Sequence, residues 1–536
     1  MKISKLAESY LEKAAHKPRQ FPEGEGIKVN AAISKASYIY EKIRAAIDYN
    51  EEHLVRKNAI FRILKRKMVL ERMLLDNYLI ELYDQDGIAV HLLQELIRGK
   101  FLDNNVSVKL AEETDKIIRK YSLLVKWIKE NGGRVDNELF DFILQMEAVE
   151  IEQMLIPTDK ERSLARVLFT VMKSMIVVEN SNLNEKGLEI QLYVAAYRAL
   201  YKWDDAMISH LLMNMFYPEW KDADNDLIKT IAKNIEHVKS EINAQINHPL
   251  RKAILKGVQK QSIVFWILHD VVEANKENAS AILGNEEKLV HEVKKACEAR
   301  YKAANVRLHR GVVRSIIYVF FTKMVLALAI EFPTDIYLTG FVNYVTAFTN
   351  ILFPPLLMFL VASLIRLPGK DNTDAIVKAI KSLVFEGDID KKIKVRGDRR
   401  EHWLMNFIFN IIYAFTFIGS LVILCYFLHA LGFNVFSTFI FVLFLTLVSF
   451  FSIRIRRPIK ELLAIERRES VIGAIVDFFA LPFVSMGQFL SGKFSKLNVF
   501  AYFMDFIIEA PFKLLIEIIE DLLSFLREKK EDVLVE

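Results

Sequence analysis

Four long apolar stretches downstream of Arg307, the first apolar apart from Arg314, Lys323 and Glu331, constrain the fold of this chain more than any other feature. They are Val312–Phe332, Asn343–Ile365, Met405–Leu428 and Phe433–Ile453. Each is about 21 to 24 residues long, enough for a helix rising 1.5 Å per residue to cross a hydrocarbon core of about 30 Å. In lipid every backbone amide must find its partner inside the protein, which leaves helices and closed barrels, and barrel strands are only about 9–11 residues. The expectation is two helical hairpins, residues 312–365 and 405–457. Between them lies a basic loop over 366–404.

Composition agrees with a chain divided between two solvents. Hydrophobic residues make up 52% and mean hydropathy is +0.19, yet 26% of residues are charged, too many for a chain wholly in lipid. Many of the 38 phenylalanines fall after residue 315. Residues 1–311 read as a cytosolic helical domain, and 458–536 as cytosolic or interfacial helices. The fold class expected is all-α: a large multi-helix region, about four spans, then amphipathic C-terminal helices.

Loop charge predicts orientation. RLHRGVVR precedes the first apolar stretch, KKIKVRGDRR lies in the middle loop, and RIRRPIK follows the fourth. Pro333–Val342 and His429–Gly432 carry no Lys or Arg. By the positive-inside rule both termini and the middle loop are cytosolic. The N-terminus has no apolar core of signal-peptide length, so the expected location is a bacterial cytoplasmic membrane, multi-pass. Two cysteines, Cys297 and Cys425, do not make a disulfide scaffold.

In the first 311 residues helices are expected over 88–99, 107–130, 136–155, 159–179, 187–216, 225–246, 249–275 and 285–310. The punctuation is Asp86-Gly87, Asn131-Gly132-Gly133, Pro157, Pro218 and Pro249. Val29–Tyr83 has helical spacing and includes the basic run RKNAIFRILKRKM. Such a face lies on anionic lipid or binds a partner, though a solvated bundle face is the commoner outcome. Val471–Leu490 is interrupted by Asp477, Pro482, Ser485 and Gln488 and reads as interfacial rather than as a fifth span. Asn498–Arg527 carries a polar stripe of Asp505, Glu509, Lys513, Glu517 and Asp521, interrupted by Pro511.

The candidate functional residues are polar groups inside the apolar stretches. A charge at the centre of a span costs about 2.5–3.5 kcal/mol on insertion scales. Lys323 sits mid-span, and Glu331 follows eight residues on. In a straight helix that is about 12 Å along the axis, too far for direct pairing, so Lys323 is expected to pair elsewhere, line a wet path or reach the surface. Asn343 and Asn350 share a face of the second span, followed by Pro354 and Pro355, which free backbone carbonyls. Asn406 and Asn410 share a face of the third. Polar residues of this kind more often act as hydrogen-bond glue between helices.

Catalytic signals are weak. Glu147 and Glu150, with Asp204, Asp205 and His210, raise the idea of a carboxylate metal site, but the paired Glu-x-x-His pattern of di-iron bundles is lacking. His269-Asp270 lies in an apolar run, and His291 follows Glu287 one turn on. There is no HExxH, Walker A, GxSxG or GxGxxG signature. The expectation is no enzyme, no cofactor and no metal. Residues 1–315 hold about 49 basic and 45 acidic residues, without the basic stripe of a nucleic-acid binder. The expected partners are the lipid bilayer and cytosolic proteins or a second copy. The function expected is a membrane-tethered helical scaffold or interaction protein. The alternative is an oligomeric channel or transporter built on the first two spans, and a weaker third is membrane remodelling by amphipathic helices.

Overall fold

The computed structural model describes residues 3–14, 26–27, 29, 37–38, 41–42, 51–74, 87–156, 159–179, 183–340, 344–363, 365–387, 389, 392–396, 403–464, 478, 481–489, 515, 518–519, 522 and 525. Asn343, parts of Val29–Tyr83, half of Val471–Leu490 and most of Asn498–Arg527 lie outside them. The fold is helical, with eighteen α-helices and four short strands among the described residues, the first two, β1 (Gly26–Ile27) and β2 (Val106–Ser107), pairing antiparallel. Six helices begin on an Asp or Asn whose side-chain oxygen accepts the amide three residues on: Asp136, Asn184, Asp204, Asp224, Asn285 and Asn434. Such caps satisfy amides that the helix leaves open, and they fix where the chain turns from loop to helix.

The chain forms two compact units interleaved along the sequence. One comprises Met1–Ala14, Thr170–Asn182 and Lys256–Asn498; the other comprises Ala15–Phe169, Leu183–Leu255 and Val499–Glu536.

The second of these contains α2 (Glu52–Leu74), α3 (Ile88–Arg98), α4 (Val108–Glu130), α5 (Asn137–Leu155), α7 (Glu185–Tyr201), α8 (Asp205–Phe216), α9 (Asn225–Lys233) and α10 (Ile235–Ile246), and shares α6 (Asp159–Met175) with the first unit. Part of its core joins Ile60, Ile63 and Leu64 of α2 to Leu92, Leu93 and Leu96 of α3, Ile118 of α4, and Leu144, Ala148 and Ile151 of α5. The expected helix over 187–216 is two, broken at Lys202, where φ is +54° and Trp203 is buried before the Asp204 cap. The helix over 225–246 is also two, meeting at Asn234.

The basic run on α2 has partners. Arg56 pairs with Glu152, Lys57 with Asp204, Arg62 with Glu41, Lys65 with Asp141 and Arg66 with Glu95. Arg56 and Lys57 are buried. These cations are paired with carboxylates of their own unit, and at Arg56 and Lys57 the face is buried and not the solvated one expected.

The other unit carries the long apolar helices. α11 (Arg251–Ala274) crosses into it and is followed by a short α12 (Ala279–Leu283). Then α13 runs without a break from Glu286 to Leu326 and continues through a π turn, Ala327–Glu331, into α14 (Phe332–Thr339). The expected boundary near residue 310 is absent. α15 (Tyr344–Ser363), α17 (Trp403–Ala430) and α18 (Val435–Lys460) follow, with α16 (Lys370–Lys381) in the loop between α15 and α17.

Among the described residues four helices are long and apolar enough to cross a membrane: Glu286–Tyr337, Tyr344–Ser363, Asn410–Ala430 and Val435–Lys460. Their large apolar side chains are widely exposed, Phe415, Tyr426 and Val435 among them. Water would penalise so much contiguous apolar surface, whereas hydrocarbon solvates it.

The flanks of these helices gather at one end. Strand β3 (Ile176–Glu179) takes the last four residues of the expected 159–179 helix. It pairs in parallel with β4 (Ile393–Arg396) from the middle loop, Ile176 opposite Ile393. Asn372 in the same loop donates to Tyr301 Oη at 2.8 Å and to the Leu462 carbonyl at 2.9 Å, and accepts from the Ala464 amide. Lys381 pairs with Glu286. Helix α1 (Lys5–Ala14) joins them, with the Ser4 amide on the Val384 carbonyl and Tyr10 Oη 2.9 Å from His269 Nδ1. Segments before the first apolar helix, between the second and third, and after the fourth therefore lie side by side, as two hairpins require.

Candidate functional site

Packing of α13 on α15, and of α15 on α18, brings the polar residues of the apolar helices together. Lys323 Nζ donates to Glu331 Oε1 at 2.6 Å, and Asn350 Nδ2 donates to Glu331 Oε2 at 2.6 Å. Lys323 and Asn350 are 0% exposed and Glu331 2%. The ammonium also lies 4.7 Å from the ring centre of Phe444, where the negative face of the ring attracts it. Val319, Met358, Ile440, Phe444 and Val448 form an apolar cluster of these same helices.

Direct pairing of Lys323 with Glu331 corrects the expectation for a straight helix. In an unbroken α-helix residues eight apart are about 80° out of phase and about 12 Å apart along the axis. The π turn at Ala327–Glu331 absorbs one residue. Eight residues then do the work of seven, which lowers the offset to about 20° and the rise to about 10.5 Å. Two extended side chains bridge that distance. Lys323 neither reaches the surface nor pairs with another helix.

Of the other sequence candidates, Asn350, Pro354 and Pro355 lie buried on α15 with this centre. Pro354 and Pro355 bring no amide hydrogen to the carbonyls of Asn350 and Ile351, four residues back. Asn350 Oδ1 is buried and has no hydrogen-bond partner. Phe444 and the fully buried Thr446 were not legible as members of this region, since aromatic and hydroxyl residues in an apolar helix carry no signal of their own. Asp335 and Asn434 were also missed. Asn434 caps α18 through Oδ1 and donates through Nδ2 to Asp335 Oδ1, joining the first apolar helix to the fourth.

A second buried polar cluster lies in the other unit. Glu150 on α5 accepts from Lys120 Nζ and from Tyr121 Oη at 2.9 Å, and faces His210 Nε2 at 3.5 Å. Lys120 also donates to the Trp220 carbonyl at 3.0 Å and lies 4.9 Å from the Trp220 ring centre. Burial alone would raise the Glu150 carboxyl. The hydrogen bond and charge of His210, together with Lys120, outweigh it and hold Glu150 below the usual range. One turn earlier, Glu147 is fully buried with both oxygens unpartnered. Burial, reinforced by the neighbouring Glu150, pushes its carboxyl well above the usual range. Tyr121 is raised by the same burial and by Glu150.

His210 meets Glu150, with Glu147 one turn earlier on α5, but Asp204 caps α8 and binds Lys57, and Asp205 binds Arg198. The Lys120 ammonium stands against Glu150 where a metal ion would sit. Among the described residues no group of three or more His, Cys, Asp or Glu is placed to hold a metal ion. His269 is engaged by Tyr10, and Asp270 by Arg300 at 2.9 Å.

No protein-family profile matches the chain, and no curated protein or solved structure is detectably similar to it.

Proposed function

We propose that this chain is a multi-pass membrane protein that carries a helical scaffold on a four-span anchor, the scaffold serving to bind other proteins at the membrane surface. The observation that supports this reading most directly is the gathering of the flanks. The N-terminal helix, β3, the middle loop and the stretch after α18 meet at the end of the apolar helices where α13 emerges. The basic residues of that end, Lys392 and Lys394 among them, support a cytosolic side for it by the positive-inside rule.

The test is in-membrane crosslinking of the full-length protein from photo-reactive residues on exposed positions of the helices, such as Glu112, Lys229 and Glu241. A protein crosslinked in constant ratio from neighbouring positions, and lost on charge reversal there, supports the scaffold. Lipid as the sole adduct at every position refutes it. A second reading, a carrier or channel, draws on the buried Lys323–Glu331–Asn350 centre, since ionisable groups at such depth mark substrate paths in many membrane proteins. It requires ion flux into vesicles bearing the purified protein, abolished by Glu331→Gln.

A further inference from the structure

We infer that one face of α13 is a docking site for an anionic phospholipid. Arg307, Arg310 and Arg314 hold the phosphate, and an acyl chain lies along Ile317, Tyr318, Phe321 and Val325. The site requires the membrane placement of the apolar helices proposed above and is independent of the scaffold role.

Helical geometry puts these seven residues on one stripe. At about 100° per residue the three arginines fall within about 60° of one another, and the four apolar residues widen the stripe to only about 100°. All three arginines are exposed, and so are the apolar residues, from 51% at Ile317 to 69% at Tyr318. Val312, Val319 and Lys323, buried on the same helix, lie about 170° away around its axis. Through Val319 that buried side packs on Met358 of α15 and on Ile440, Phe444 and Val448 of α18. The arginine face is therefore turned away from the bundle, toward whatever solvates the apolar helices.

Charge and polarity change along this face as they do along a phospholipid. Between Glu298 and Glu331 the helix holds no acidic residue. Among the described residues none of the three arginines has a carboxylate partner. They span about 10 Å of the axis, and the planar fork of a guanidinium matches the oxygens of a phosphate. Basic clusters beside a membrane helix attract anionic lipid for this reason. Beyond Arg314 the stripe is wholly apolar. From Arg314 to Val325 it runs about 16 Å, about half of a hydrocarbon core of about 30 Å, which is the depth of one leaflet. Arg314 enters the apolar part, where its stem can lie on apolar surface while the guanidinium reaches back to headgroup level. A soluble anion would meet the arginines alone. The choline of a zwitterionic lipid would bring a further cation beside them. An anionic phospholipid matches both halves of the face.

The experiment uses the full-length protein in vesicles of phosphatidylcholine and phosphatidylglycerol in equal amounts. A photoreactive benzoylphenylalanine replaces Phe321 in one preparation. In another it replaces Tyr426, which is 74% exposed at the far end of α17. After irradiation, mass spectrometry reads the ratio of the two lipid adducts at each position. A basic residue near an anionic surface is worth about fivefold in affinity, so phosphatidylglycerol should be enriched at position 321 by about fivefold or more over position 426. Arg310→Gln with Arg314→Gln should remove most of that enrichment, and Arg310→Lys with Arg314→Lys, which keep the charge, should retain most of it. Raising salt from about 0.1 M to about 1 M shortens the screening length from about 10 Å to about 3 Å and should lower the enrichment. Equal adduct ratios at the two positions overturn the inference, as does enrichment that survives the Gln changes. A protein adduct at position 321 overturns it too, and means that a second copy covers the face. Competition by glycerol phosphate at constant ionic strength overturns it in favour of a free phosphate. Failure to find lipid adducts at either position refutes the membrane placement, and the site with it. Should the arginine variants fail to fold, the comparison of positions 321 and 426 still decides.

Discussion

Replacing Glu147 by Gln should convert a pH-dependent weakness of the α5 region into a pH-independent one. Glu147 is 0% exposed and neither carboxyl oxygen has a partner, so the fold holds the neutral acid. In the unfolded chain the group ionises in the ordinary carboxyl range. The folded value is raised, so the full contribution of the neutral form is present below the unfolded value and is lost as pH climbs toward the folded one. Each pH unit between the unfolded and the folded value costs the wild type about 1.4 kcal/mol. Glu150 adds no slope there, because its value is lowered and it is ionised in both states. The Gln amide leaves buried polar atoms unpaired at a cost of about 1–3 kcal/mol, but this does not vary with pH. Hydrogen exchange of the amides over Ile143–Ile151, compared between wild type and variant at each pH, cancels intrinsic exchange rates. The ratio of opening constants should change about tenfold per pH unit in favour of the variant. A ratio independent of pH would mean that Glu147 is ionised in the fold, and would refute the reasoning.

Three further outcomes are expected. Arg56→Leu should destabilise its unit by about 3–5 kcal/mol by stranding buried Glu152, while Arg56→Leu with Glu152→Leu together should cost less than the single change, as a denaturation cycle would show. Tyr10→Phe removes the bond to His269 and should weaken docking of α1 by about 0.5–1.5 kcal/mol, seen as faster protease cleavage near Ala14 with the remaining fragment intact. Single cysteines at Ser315, Thr339 and Asn434, probed with an impermeant reagent on sealed membranes, should label from outside only at Thr339 and Asn434, and outside labelling at Ser315 would reverse the orientation.

The apolar helices were legible because length and hydropathy alone decide them; the ends of the second and third moved by only a few residues, whereas the first runs on from Glu286 and the fourth continues to Lys460. Asp and Asn caps were less so, because the sequence offers many such residues and only a helix behind them makes them caps. The strand at Ile176–Glu179 was read as helix since its partner, Ile393–Arg396, is more than two hundred residues away and nothing local announces it. The centre was half legible. Lys323, Glu331 and Asn350 stood out as polar residues in apolar runs, yet their union depends on a π turn in AlaLeuAlaIleGlu, a sequence that an ordinary α-helix accommodates equally well. The cations of α2 were visible as a cluster, but their carboxylate partners come from four separate segments.

The π turn also sets how the first apolar helix responds to changes in length. A deletion elsewhere in a helix turns everything beyond it by about 100°. Within Ala327–Glu331 the helix already carries one residue too many, so losing one there would restore plain α geometry and keep both flanks in phase. Lys323 would still face Phe444, and Asp335 would still meet Asn434. This short segment is where the anchor can be shortened by one residue without its neighbours noticing.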